Sequence, residues 1–268
     1  SSDQSHDFYS ICGNRYLMKT KVQEAEQDKT NSKQVVDLGA DVICKSVELT
    51  HENELFVACQ NRSPPSNLKQ QPKVKGITIV SVNPTLMQVI NKKTFAQTEE
   101  QNIGDEFILQ SVETTDNFAV FVISTDYKNF RGWQVRYEGA KFTDQKWFTN
   151  ADFTGFPTGS TFAIQTTKNK LFIVSQGESD NTHSYNLVTC SVNKDIESKT
   201  ECGNSIQLVE KIPTGINYLF KIEEVRQELR VLSAAKNKIS AGSIKDNKYT
   251  ESYSWVAEDQ TLFKEDPN

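Results

Sequence analysis

Four carboxylates stand one or two residues after the glycine position of a recurring motif. The motif reads LGADVICKS from Leu38, IGDEFILQS from Ile103, TGSTFAIQT from Thr158 and TGINYLFKI from Thr214. A further copy, AEDQTLFKE from Ala257, has Glu258 where the others have glycine. After that position stand Asp41, then Asp105 with Glu106, then Asp259; the remaining copies carry Ser160-Thr161 and Asn217. Carboxylates gathered at one axis could hold Ca²⁺, a hard cation that takes only oxygen ligands. They could also form an acid/base pair for glycoside hydrolysis. Their plainer role is that of solvated turn residues, because Asp favours turns.

Other residue types invite weaker readings. GESDNTH, residues 177–183, gathers Glu178, Asp180 and His183, all metal donors, but its spacing matches no EF-hand loop and no zinc signature. DYKNFRG, residues 126–132, offers Tyr127, Phe130 and Arg131, side chains that either anchor interfaces or pin their own loop by local packing. The histidines are His6, His51 and His183, and the chain has no G-x-S-x-G elbow, HExxH, P-loop or dinucleotide-binding glycine pattern. The expectation is a protein without catalytic residues or a resident cofactor, Ca²⁺ being the one ion its carboxylates suit. The alternative is a hydrolase of glycosides or, with Ca²⁺, of nucleotides, working through carboxylates alone.

The cysteines bear on compartment. Cys44 and Cys59 are equidistant from a turn near His51-Glu52, and Cys190 and Cys202 flank the polar stretch SVNKDIESKTE. Residues so placed face each other across an antiparallel ladder, so two disulfides are expected, with Cys12 left over. The competing reading is five small buried hydrophobes in a reducing compartment. Asn61 in NRS is a glycosylation acceptor weakened by Pro64, and the chain opening at Ser1 reads as processed. These features point to a secreted protein.

The elements that position all these residues are strands. A second motif follows the first: DFYSICG, ELFVACQ, AVFVIST, KLFIVSQ and ELRVLSA, anchored at Cys12, Cys59, Ser124, Ser175 and Ser233. Two strands joined by a short polar turn fit each motif pair. The copy DFYSICG has no partner before it, yet QTLFKE at 260–265 supplies one from the other end of the chain. A linear array has no reason to split a repeat between its termini, whereas a ring does. Hydrophobic residues are 36% of the chain, charged residues 24% and the net charge is −5. That balance suits a globular protein and lacks the dense basic face of a nucleic-acid binder. No apolar run approaches the ~18–20 residues of a membrane helix.

In repeat logic and length the chain resembles the β-propeller superfamily, with five blades of four antiparallel strands. That resemblance implies an all-β fold in a single domain over residues 1–268, closed by the C-terminal innermost strand joining the N-terminal blade. It implies nearly continuous apolar runs in the first two strands of each blade and alternation in the outer two. A β-sandwich of similar strands is the competing architecture. In a propeller the motif carboxylates would open on the central channel. Lys45, Gln110, Gln165, Lys221 and Lys264 would form one column there, beside Ser46, Ser111, Thr166, Ile222 and Glu265. Such columns either bind an anion or ordered water, or mark strand ends where polarity resumes. The loop after the second strand is long and proline-rich at 61–75 and almost absent in the N-terminal copy. Unequal loops on a rigid scaffold suit an extracellular binding or assembly module, whose partner is a protein, a glycan or copies of itself, including a filament.

Overall fold

The computed structural model describes residues 5–23, 33–50, 52–62, 74–104, 106–114, 117–124, 130–156, 160–167, 169–179, 182–193, 195–213, 218–225, 228–235 and 238–256. Among them a single 3-10 turn, Asn150–Asp152, is the only helical element; the rest is strand and turn. The chain forms two compact units, Ser1–Asp126 with Arg131–Phe148, and Tyr127–Phe130 with Thr149–Asn268.

The first unit holds three sheets, each strand hydrogen-bonded to the next. Sheet I is β1 (Ser5–Cys12), β2 (Tyr16–Gln23) and β3 (Lys33–Asp37). Sheet II is β4 (Val42–Leu49), β5 (Leu55–Arg62), β6 (Val74–Asn83) and β7 (Gln88–Ala96). Sheet III is β8 (Phe107–Thr114), β9 (Asn117–Ser124), β10 (Arg131–Glu138) and β11 (Lys141–Thr149). In the second unit, sheet IV contains β12 (Phe153–Thr154), β13 (Ser160–Thr167), β14 (Lys170–Ser179), β15 (Thr182–Ser191), β16 (Thr200–Cys202) and β17 (Ile206–Pro213). Sheet V is β18 (Tyr218–Val225), β19 (Glu228–Ala235), β20 (Lys238–Lys245) and β21 (Lys248–Val256).

Sheets II, III and V are the four-stranded meanders that the repeat predicts, the arrangement of propeller blades. The turns follow from composition. Asp246-Asn247 has positive φ at both central residues, so it closes β20–β21 as a tight two-residue hairpin whose twist matches the strands; Gly13 and Asn14 have positive φ in the three-residue β1–β2 loop. Sheet IV departs from the predicted four strands. The Cys190–Cys202 disulfide clamps β16 onto β15 with those two residues in register, and β12 adds in parallel to β16. Sheet I has three described strands with β1 at its edge; QTLFKE at 260–265, its predicted fourth, lies outside the described residues.

Burial corrects one expectation. The continuous apolar runs fill the second and third strands of a sheet, as in β5, β6, β9 and β10, rather than the first and second. Each first strand is a sheet edge and is only partly covered, as the mixed pattern of β4 shows. Strands in the middle have neighbours on both sides and protein on both faces. Three cores result. Leu17, Val36, Leu55, Val57 and Val80 join sheets I and II. Phe56, Phe95, Leu109, Val120, Trp133 and Tyr137 join sheets II and III, with the Phe56 and Tyr137 rings edge to face at 4.9 Å. Phe172, Val174, Tyr185, Phe220, Ile222 and Val231 join sheets IV and V.

Candidate functional site

Of the four predicted carboxylates, Asp41 and Glu106 lie among the described residues. Asp41 is exposed in the turn before β4. Glu106 is 77% exposed and its Oε1 lies 2.8 Å from Lys45 Nζ, so it is an ion-pair partner. Asp105 and Asp259 lie outside the described residues, as do Tyr127, Asp180 and His51. Glu178 lies in β14 opposite His183 of β15 in the ladder, the Glu178 side chain being outside the described set. No group of three His, Cys, Asp or Glu side chains among the described residues is placed to hold a metal.

Phe130 is 4% exposed and packs in a three-ring cluster, 5.0 Å from Phe153 and 4.8 Å from Phe156. Arg131 opens β10 half-buried, and its Nε has no hydrogen-bond partner among the described residues. Asn61 sits inside β5, and its Oδ1 accepts a hydrogen bond from Thr78 Oγ1 at 2.8 Å, which in turn contacts Thr94 Oγ1 at 2.8 Å. Both expected disulfides are formed, Cys44–Cys59 between β4 and β5 and Cys190–Cys202, and Cys12 is free and exposed.

The polar columns have a role the sequence did not suggest. Two of their members, Ser46 and Gln165, tie neighbouring sheets together through the backbone. Ser46 Oγ accepts from the Leu109 N–H at 2.9 Å, linking β4 to β8; outside the columns, Gln60 Nε2 of β5 donates to the Gly104 carbonyl at 2.9 Å. Gln165 goes further: its Nε2 donates to the Phe220 carbonyl at 2.7 Å and its Oε1 accepts from the Ile222 N–H at 2.6 Å. Its carboxamide thus stands in for one peptide unit between β13 and β18, edge strands of separate sheets. An edge strand carries unpaired backbone groups, and a short amide side chain satisfies two of them at once. Lys170 Nζ, 2.8 Å from Glu224 Oε1, closes the same junction.

Burial pushes two neighbouring groups of unit one, Glu54 and Tyr137, from their ordinary ranges. Glu54 ends the β4–β5 turn, with the Tyr137 hydroxyl 3.5 Å from its Oε2 and 3.2 Å from Ser81 Oγ. Burial raises the Glu54 carboxyl, Tyr137 partly offsets this, and Glu52 adds to it. Burial likewise raises Tyr137.

One face of sheet V carries exposed apolar side chains in register. The ladder aligns Leu219, Ala234, Ile239 and Trp255 in one row, and Lys221, Leu232, Ala241 and Tyr253 in the next. Leu219 is 75%, Trp255 54% and Tyr253 78% exposed. A third row, Glu223, Arg230, Ser243 and Thr250, is polar. The alternation within ELRVLS and YTESYSW shows which residues share a face and not whether anything covers it.

No protein-family profile matches the chain, and no curated protein is similar to it in sequence. Solved structures are similar in fold. The Malassezia sympodialis allergen Mala s 1 aligns over 93% of this chain and 75% of its own, with 14% identity and a TM-score of 0.52. A functionally unknown Desulfotomaculum acetoxidans protein aligns over 98% and 74%, with 12% identity and a TM-score of 0.49. The β-propeller domain of Vanderwaltozyma polyspora Nup133 aligns over 94% and 83%, with 11% identity and a TM-score of 0.43. At these identities the likeness to Mala s 1 concerns fold alone.

Proposed function

We propose that the chain is a five-bladed β-propeller acting outside the cell as a non-enzymatic binding or assembly module. Its partner is a protein, a glycan or further copies of itself. The ring closes when residues 260–265 add a fourth strand beside β1. Three observations support the closure: β1 is an edge, sheet I has three described strands where II, III and V have four, and QTLFKE resembles the first strands of the other sheets. Two disulfides suit an oxidising compartment.

The observation that carries the binding role is the apolar patch on the outer strands of sheet V. Ile239, Tyr253 and Trp255 are 40%, 78% and 54% exposed on one face. Contiguous exposed apolar side chains are a mark of interaction surfaces. Native mass spectrometry of unreduced protein tests the reading. The expected species carries both disulfides and a bound copy, glycan or protein, and releases it on Ile239→Asp. A bare monomer at every concentration up to about 100 μM removes the reading. Closure has its own measurement. Hydrogen exchange at β1 should accelerate when residues 257–268 are deleted, and unchanged protection there refutes the added strand.

A further inference from the structure

One end of the junction between sheets II and III gathers buried hydrogen-bond donors that nothing among the described residues receives. Two contacts fix how β7 runs past β10 and its following turn. Asn91 Nδ2 donates to the Ala140 carbonyl at 3.5 Å, and farther along the Phe95 and Trp133 rings stack with centroids 5.4 Å apart. Residue numbers rise on one side as they fall on the other, so the next pair facing the junction is Gln97 and Arg131. Gln97 is half-buried between exposed Ala96 and Thr98, as alternation with Phe95 requires. Gln97 Nε2, Arg131 Nε and Trp133 Nε1 are all buried without a hydrogen-bond partner. Trp133 is 6% exposed, and its ring is held by Phe95 on one side and by Trp147, edge to face at 5.4 Å. Arg15, Arg136 and Arg230 each lie 3.1–3.7 Å from a carboxylate, whereas Arg131 has no ion pair among the described residues. Glu99 and Glu100, just beyond Gln97 in the chain, are exposed.

We infer that this corner binds a carboxylate. Every unmet group is an N–H, and a buried donor left unmet costs free energy until an acceptor arrives. Water or a neutral ligand would leave the guanidinium charge unpaired. A carboxylate sets one negative charge against one positive charge. It matches the planar guanidinium fork and keeps lone pairs for the indole and amide N–H groups, having about four such sites in all. A phosphate dianion would bring a second charge that none of these three side chains balances. Gln97, Arg131 and Trp147 are each partly exposed, so the corner is reached from solvent. The carboxylate then comes from a free small acid or from an acidic side chain or C-terminus of a partner protein. The site lies within sheets II and III and is independent of the apolar face of sheet V.

The indole N–H resonances of the three tryptophans report on the site, Trp133→Phe assigning the one concerned. The isotope-labelled full chain is titrated with sodium acetate to about 100 mM, enough to see a millimolar site. Sodium chloride and sodium phosphate of equal ionic strength are the comparison anions, and acetyl-Gly-Asp-Gly-amide presents the same group on a peptide. A saturable downfield shift of the Trp133 N–H with acetate, and none with chloride, is expected. Arg131→Met should weaken binding at least about tenfold, the effect of one charge-assisted hydrogen bond. Arg131→Lys, which keeps the charge and loses the fork, should fall between the two. Acetate in place of chloride should also raise the thermal midpoint of the wild type and not of Arg131→Met, a readout that holds even if Trp133→Phe fails to fold. Ile239→Asp, on sheet V, should change none of this. Equal affinity for acetate and peptide identifies a free acid as the source, and peptide binding at least about tenfold tighter identifies an acidic segment of a partner. An N–H that neither acetate nor peptide moves, as when it points at the Trp147 ring, overturns the carboxylate site. So does a shift that chloride reproduces, tighter binding of phosphate, or a response that survives Arg131→Met. Each of these results leaves the binding role of sheet V standing.

Discussion

Replacing Gln165 by Leu tests whether one side chain joins two sheets. Leu keeps most of the volume, so the change removes hydrogen bonding rather than packing. Two bonds are lost, to the Phe220 carbonyl at 2.7 Å and from the Ile222 N–H at 2.6 Å. Each is worth ~1 kcal/mol net, and the two stranded backbone groups are part-buried, so the cost is about 2–4 kcal/mol. In a domain of this size that lowers Tm by roughly 5–10 °C. Two assays read it: calorimetry for the global change, and amide hydrogen exchange at Ile222 for the local one. Protection at Ile222 should fall toward that of an exposed edge amide. Gln165→Glu separates the mechanism from packing. Its carboxylate places a second acceptor against the Phe220 carbonyl, so it should be worse than Leu at neutral pH and recover on protonation. A Gln165→Leu protein with Tm within about 1 °C of wild type, and with Ile222 still protected, would refute the reasoning.

Three further outcomes are expected. Replacing Cys44 and Cys59 by Ser should cost about 3 kcal/mol for a loop of this length, by the loop-entropy account, read as a lower denaturation midpoint of the unreduced protein. Glu54→Gln should stabilise the protein at neutral pH, because burial raises the folded-state pKa of this carboxyl and so penalises its charged form. That advantage should shrink as pH falls through the raised pKa and vanish below the unfolded-state value of about 4.3, a trend followed by chemical denaturation against pH. Gly132→Ala should destabilise by at least ~2 kcal/mol, because the new Cβ would lie 1.9 Å from the Val122 carbonyl inside sheet III. Equal stability of the two proteins would show that β9 and β10 can separate freely.

Sheet topology was legible because it depends on local patterns. The motif pairs mark strand, turn and strand, but counting outward from the β4–β5 turn would set Cys59 opposite Lys45; a register shift between Cys44 and Ser46 brings Cys44 opposite Cys59. The candidate sites were less legible. A carboxylate after a motif glycine looks the same whether it serves a ligand, a lysine or water, and only the approach of β8 to β4 made Glu106 the partner of Lys45. Phe130 reads equally as an anchor or a core residue until Phe153 and Phe156 close on it.

The sequence by itself determined that the chain is all-β, built of repeated antiparallel strands and stapled by two particular cysteine pairs. Those properties arise between residues close along the chain, where alternation and turn chemistry act. Tertiary structure decided which polar side chains bridge sheets, which strands take the deepest burial, and which face of sheet V meets water. Each of these depends on what lies beyond a strand's own hairpin. Gln165 shows the difference most plainly: in sequence it is one member of a polar column, and in space it is the missing peptide between two sheet edges.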